Sequence, residues 1–230
     1  MDRMEWLEQS RLTVVVGYSG SGKTEFSVNL ALALARQGKR TALADLDVVN
    51  PYFRSRERRD LLSHEGVRLI ATSQACVDAD VPAMPPEVNV LFQDQDLWGV
   101  LDIGGGGVGA RVLARYRPQL LGSQCRVLFV LNARRPQTRD VEGALASLEE
   151  IQAVTGLRVT GLVDNTHLCR ETELADLEAG AALARTVSSQ TGLPVVCHVI
   201  QEELIDQAEG MPGPLFPVRL YMNRPWEMDE

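Results

Sequence analysis

Short, almost wholly apolar runs alternate along this chain with longer segments whose apolar residues recur at helical spacing. The short runs lie at 12–16, 41–45, 97–102, 127–131, 159–163 and 195–200, with weaker ones at 67–71 and 88–92. Runs without polar alternation predict strands covered on both faces, as in a parallel sheet between helical layers. The segment 24–37 carries Phe26, Leu30, Ala33 and Leu34 on one stripe and stops at Gly38. The segment 138–154 carries Val141, Leu145, Leu148 and Ile151 and stops near Gly156, and 171–190 carries Leu174, Leu177, Ala181, Leu183 and Ala184 and stops at Gly192. Such stripes bury one face of a helix, and glycine suits the residue just past its end. Strand, helix, strand in this rhythm predicts a doubly wound, mostly parallel α/β sheet with helices on both faces, a three-layer α/β/α architecture. Ligands of such sheets bind at the carboxyl ends of the strands, so chemistry is to be sought just after each strand.

One stretch, about 50–96, departs from the rhythm. It is rich in proline (Pro51, Pro82, Pro85, Pro86) and polar residues, and reads either as a lid or partner-facing insertion or as an ordinary pair of short strands with loops. The 230 residues suit one domain, large enough to need no disulfide or metal to hold it together. The net charge of -8 makes the chain a poor partner for nucleic acid or anionic lipid. Cys76, Cys125, Cys169 and Cys197 are widely spaced, without a C-x-x-C pair, and read as free thiols of a reducing compartment. Residues 1–11 are charged and lack the apolar core of a signal peptide, and no apolar run approaches the roughly 20 residues that span a bilayer. A cytoplasmic protein without membrane attachment is the expectation.

The chemistry enters after the first strand, with Gly17, Tyr18, Ser19, Gly20, Ser21, Gly22, Lys23 and Thr24. This is the G-x-x-x-x-G-K-[ST] pattern of a phosphate-binding P-loop, followed at once by a helix. Its glycines let backbone N–H groups point inward at phosphate oxygens, and the helix adds the positive end of its dipole. Lys23 supplies a cation for the outer phosphates and Thr24 a hydroxyl for Mg²⁺. The second strand ends in Asp45, Leu46 and Asp47, where a carboxylate can hold a water on Mg²⁺ or orient one for attack on a phosphate. A loop aspartate capping the next segment is the plainer alternative. The third strong strand ends in Asp102, the place of a Walker B carboxylate, followed after one residue by Gly104, Gly105, Gly106 and Gly107. The Asp102-x-x-Gly105 spacing suits a loop that senses a terminal phosphate, and the glycine run also reads as a plain mobile turn. Asn165 follows the fifth strand and offers both a donor and an acceptor, fit either for a purine edge or for a turn, while His167 reads as a loop residue rather than a ligand.

Together the 17–24 loop, Asp45–Leu46–Asp47, Asp102 with its glycines, and Asn165 resemble the MinD/ParA-type ATPases, a family that includes the nitrogenase iron protein and cobyrinate synthetase relatives. The resemblance covers roughly 12–204 and is strongest over 14–47. It implies a P-loop NTPase that binds ATP/ADP with Mg²⁺ through Gly17, Tyr18, Ser19, Gly20, Ser21, Gly22, Lys23, Thr24 and Glu25. It implies catalysis by Lys23 and Asp47, with Asp47 orienting the attacking water, and a metal site of Thr24, Asp47 and Asp102. It further implies an adenine contact from Asn165 and from the backbone around Ile200. The function it implies is a switch ATPase, slow on its own, acting on a protein partner or as a homodimer. An ATP-dependent metabolic enzyme of the dethiobiotin or cobyrinate synthetase type and a non-catalytic nucleotide-binding module are the alternatives.

The chain departs from this family at identifiable places. The family's signature lysine, which reaches the partner subunit's phosphates, would sit at Tyr18. Arg54, Arg56, Arg58, Arg59 and Arg111 are candidate substitutes as an anion clamp, the alternatives being a partner site or, the plainer reading, a solvated face. No cysteine lies in 104–115, where iron–sulfur ligands would stand, so no cluster is expected, and the membrane helix of MinD has no counterpart.

Overall fold

The computed structural model describes residues 5–47, 55–71 and 86–222. Among the described residues, eight strands form one sheet: β1 (Leu12–Gly17), β2 (Thr41–Leu46), β3 (Val67–Ala71), β4 (Trp98–Ile103), β5 (Cys125–Leu131), β6 (Gly161–Asp164), β7 (Val195–Gln201) and β8 (Leu215–Val218). Their order is β3-β2-β4-β1-β5-β6-β7-β8, and every neighbouring pair is parallel. Because all strands run the same way, their carboxyl ends lie along one edge of the sheet. That edge gathers Gly17, Asp47, Gly104, Asn132, Asn165 and Gln201, each at or just after a strand end.

The helices are α1 (Lys23–Arg36), α2 (Arg59–His64), α3 (Val90–Gln93), α4 (Gly106–Ala110), α5 (Val112–Gly122), α6 (Val141–Thr155) and α7 (Leu174–Thr191). They cover both faces of the sheet. Val14 and Val16 of β1 belong to a core that takes Leu113, Tyr116 and Leu120 from α5, Leu148 and Ile151 from α6, and Val187 from α7. Val15 faces the other way, into a core with Phe26, Leu30 and Leu34 of α1. This is why the central strands carry no polar alternation: both of their faces are buried. Ahead of β1, a 3-10 turn at Glu5–Gln9 buries Trp6 and Leu7. Trp6 meets Phe216 edge-on at 5.3 Å, and Arg126 donates to the Trp6 carbonyl and, at 2.8 Å, to Thr13 Oγ1.

Four features differ from the sequence reading. The run 88–92 is helical, not a strand: Pro86 opens a 3-10 turn that continues into α3, and Val88 and Leu91, three apart, are both fully buried. A short apolar run leaves helix and strand indistinguishable by pattern alone. The glycines at 104–107 are not wholly a turn, because α4 begins at Gly106. The helix α5 has no counterpart among the expected segments, and neither has β8, an edge strand whose Pro217 obscures its pattern. Of the 50–96 stretch, α2, β3 and the 86–93 helical turns are ordinary layers of the fold, while 50–54, with Arg54, and 72–85, with Cys76, lie outside the described residues. Cys125 and Cys169 are half-buried free thiols, and Cys197 is a buried one.

Candidate nucleotide site

The 17–24 loop leaves β1 and turns sharply into α1. Gly22 has φ 85°, a left-handed conformation that a side chain would strain. A Cβ there would lie 2.2 Å from Asn165 Nδ2 and 2.7 Å from His167 Nε2, so the β6 loop is clamped onto the phosphate loop at this point. Asn165 Nδ2 also donates to the Ser21 carbonyl at 2.9 Å. Asn165 therefore braces the loop, whatever else it contacts. His167 is half-buried against that loop rather than loose on the surface.

Lys23 is buried, and its Nζ donates to the Tyr18 carbonyl at 2.9 Å, closing the loop on itself. Burial presses its pKa down from the ordinary ammonium value, while Asp102 and Asp47 oppose that shift. Register places Asp45 of β2 beside Asp102 of β4. Burial and then Asp45 push Asp102 up to about 7, against the pull of Lys23 and a hydrogen bond from Thr24. Ser27 Oγ donates to Asp102 Oδ1 at 3.3 Å, and Asp45 Oδ1 accepts from the Asp47 amide at 3.2 Å. Of the expected metal residues, Asp47 and Asp102 thus lie within electrostatic reach of Lys23 and Thr24 reaches Asp102, while Asp45, the other carboxylate at the end of the second strand, acts on Asp102 from the neighbouring strand.

Magnesium fits this donor set. Asp102 Oδ2 is buried without a hydrogen-bond partner among the described residues, an acceptor that a hard cation or its water shell would satisfy. No group of three or more metal-ligating side chains is preassembled among the described residues. That matches an ion bound through one or two carboxylates, waters and phosphate oxygens rather than by a protein cage.

The glycine run packs directly on the phosphate loop. A Cβ on Gly105 would come within 2.6 Å of Ser19 Cα, and one on Gly104 within 2.8 Å of Asp47 Oδ1. The loop after β4 is therefore in contact with both the phosphate cradle and the carboxylate after β2.

Other expected residues have different surroundings. The Glu25 side chain turns away from the loop interior and accepts from the amides of Tyr221 at 2.7 Å and Met222 at 3.0 Å. Burial raises its pKa, and those two amides and the nearby charge of Arg58 counter the rise. The Glu25 carboxylate is thus committed to the backbone of 221–222. Arg58 is half-buried and within electrostatic reach of Glu25, whereas Arg59 and Arg111 are exposed. Ile200 is buried with Leu177, Ala208 and Leu215. Beside it, a narrow pocket opens between β8 and the loops after β6 and β7, lined by Glu25, Asn165, His167, Thr172 and Gln201 among others. Its floor is fixed by Gln201 Nε2, which donates to the Cys169 carbonyl at 2.6 Å and to Thr172 Oγ1 at 3.0 Å.

Sequence reasoning missed Arg135. Its Nε donates to the Gly20 carbonyl at 2.6 Å, from the loop after β5. The signal was available, since Arg134 and Arg135 follow a strand on the same sheet edge.

A family model described as the CobQ/CobB/MinD/ParA nucleotide binding domain matches residues 12–204. Among solved structures, the cell division protein FtsY of Thermotoga maritima is similar at 20% identity and a TM-score of 0.59, covering 83% of this chain and 62% of that one. FtsY of Mycoplasma mycoides is similar at 16% identity and a TM-score of 0.54, covering 80% of this chain and 58% of that one. The signal recognition particle 54 kDa protein of Aeropyrum pernix, in complex with GDP, is similar at 20% identity and a TM-score of 0.52, covering 82% of this chain and 41% of that one. At these identities the likeness is one of fold, and the chain spans less than two thirds of the length of these structures. No curated protein sequence matches the chain.

Proposed function

We propose, since this chain belongs to the CobQ/CobB/MinD/ParA nucleotide-binding domain family, that it binds Mg-ATP on the 17–24 loop and hydrolyses it as a conformational switch acting on a protein partner. The observation that carries this reading is the cluster at the sheet edge: Lys23 closed onto the Tyr18 carbonyl, with Asp47 and Asp102 within its field.

In this reading the backbone amides of 19–24 and the first turn of α1 bind the phosphates, as a helix N-terminus favours anions. Lys23 gives up its Tyr18 contact for phosphate oxygens. Thr24 and Asp102 hold Mg²⁺, which when bound neutralises phosphate charge. Asp47 orients the attacking water, and its contact with Gly104 transmits the state of the site to the loop after β4. Exposed Val108, on α4 directly after that loop, offers an apolar contact to a partner. Adenine is favoured over guanine because His167 and Leu168 follow Asn165 and Thr166 where a guanine-holding aspartate would be expected. The Nδ2 of Asn165 is engaged by Ser21, which leaves its acceptor oxygen for the amino group of adenine.

Single-turnover phosphate release tests the catalytic half of the proposal. Wild type should convert bound Mg-ATP to ADP, and Asp47→Ala should retain ATP affinity while losing at least roughly tenfold in rate. Hydrolysis unchanged in Asp47→Ala would assign the water to another group. A many-fold acceleration of ADP formation by a small carboxylate acceptor would favour a metabolic enzyme of the same architecture.

A further inference from the structure

The loop between β5 and α6 is tightly tied. Asn132 accepts from Arg134 N through its Oδ1 at 2.9 Å, from Arg135 N through its carbonyl at 3.1 Å, and from Thr138 Oγ1 at 2.9 Å. Two arginines leave this turn in adjacent positions with different fates. Arg134 pairs with Asp176 at 2.5 Å, the aspartate that also caps α7. Arg135 has no ion-pair partner among the described residues; its Nε donates to the Gly20 carbonyl at 2.6 Å. A Cβ on Gly20 would lie 3.2 Å from Nε and 3.4 Å from Cζ of that guanidinium, so the group rests against the phosphate loop itself.

Bonding through Nε leaves the four N–H donors of the two terminal nitrogens, a planar fork that matches phosphate oxygens. Charge also calls for a second cation here. Lys23 is matched by Asp47 and Asp102, and Asp45 adds to the negative side. A bound triphosphate brings one more negative charge than a diphosphate, and position 18, beside Gly20 in the same loop, is a tyrosine. Ser19, the residue before Gly20, is the one that Gly105 packs on, so Arg135 meets the loop next to its contact with the glycine turn.

We infer that Arg135 is a phosphate-binding cation supplied by this chain to its own loop, one that grips the terminal phosphate and so discriminates nucleoside triphosphate from diphosphate. This rests on the nucleotide reading above. It makes Arg135 more than a staple between two loops, because a staple would support both nucleotide states alike.

The test is the dissociation constant of the full chain for Mg-ATPγS and for Mg-ADP, in wild type, Arg135→Gln, Arg135→Lys and Arg135→Ala. The glutamine variant keeps an amide donor for the Gly20 carbonyl and removes the charge. Arg135→Gln and Arg135→Ala should each weaken ATPγS roughly tenfold or more, with ADP affinity changed less than about twofold, and Arg135→Lys should recover part of the loss. An equal fall for both nucleotides, or no change in either, overturns the assignment while leaving the nucleotide site intact. Should Arg135→Ala fail to fold, Arg135→Gln alone decides the matter by the same two constants. Wild type that binds neither nucleotide overturns the site itself, and the role of Arg135 with it.

Discussion

At the scale of single residues, the site depends on close approaches that tolerate no added atom. Gly22→Ala would put a methyl group 2.2 Å from Asn165 Nδ2 in a left-handed backbone conformation. Its cost should be about 1–3 kcal/mol of stability, read from urea unfolding, with nucleotide affinity falling as the loop shifts. An alanine variant with wild-type stability and affinity would show that the β6 loop yields freely. Asp102 predicts a pH dependence. Its folded pKa of about 7 lies above the unfolded value near 3.8, so between those limits the native state holds the extra proton and stability falls as pH rises. Nucleotide-free, Mg²⁺-free protein should therefore gain stability from Asp102 at pH 5.5 relative to pH 7.5. Asp102→Asn should shrink that difference, and an unchanged pH slope in the variant would contradict the shift. Bound Mg²⁺ requires the ionised carboxylate, so Mg-nucleotide affinity should move the other way, rising with pH up to about 7.

At the scale of elements, α1 joins the phosphate loop to the segment 219–222. Glu25 accepts two amides of 221–222, and Asn29 exchanges two hydrogen bonds with the backbone of Arg219. Glu25→Ala leaves those half-buried amides without their acceptor, which should cost about 1–3 kcal/mol. Amide exchange at 219–222 should quicken in that variant; exchange unchanged there would mean the strap is held by β8 pairing alone. Phe26, fully buried between Trp6 and Phe216, anchors the same helix from below, and Phe26→Ala should cost about 3–5 kcal/mol in urea unfolding. The sequence disclosed α1, α6 and α7 because each carries a long apolar stripe, and the central strands because both of their faces are buried. It concealed α4 and α5, which follow a glycine run with poor helix propensity, and β8, which contains Pro217. The terminus of α6 shifted because Asp140 caps it, its side chain accepting from the Gly143 amide at 2.9 Å.

At the scale of the whole molecule, the all-parallel order turns scattered motifs into one place. Gly17, Asp47, Asp102 and Asn165 lie far apart in the chain and meet only because β2, β4, β1, β5 and β6 stand side by side with their carboxyl ends aligned. The motif residues were legible because their chemistry is tied to short local patterns. The placement of Arg135, His167 and Asp45 just after or at strand ends was legible, but the contacts of Arg135 with Gly20, of His167 with Gly22 and of Asp45 with Asp102 come from partners on other strands, which spacing along the chain does not encode. The side-chain direction of Glu25 was hidden for the same reason, since its partners lie some two hundred positions away. Titration calorimetry with Mg-ATP, on wild type and on Lys23→Ala, addresses the central claim most directly. The account predicts saturable one-to-one binding to wild type and a loss of affinity of roughly a hundredfold or more in the variant. Equal affinity in the two proteins, or no binding by wild type, would contradict it.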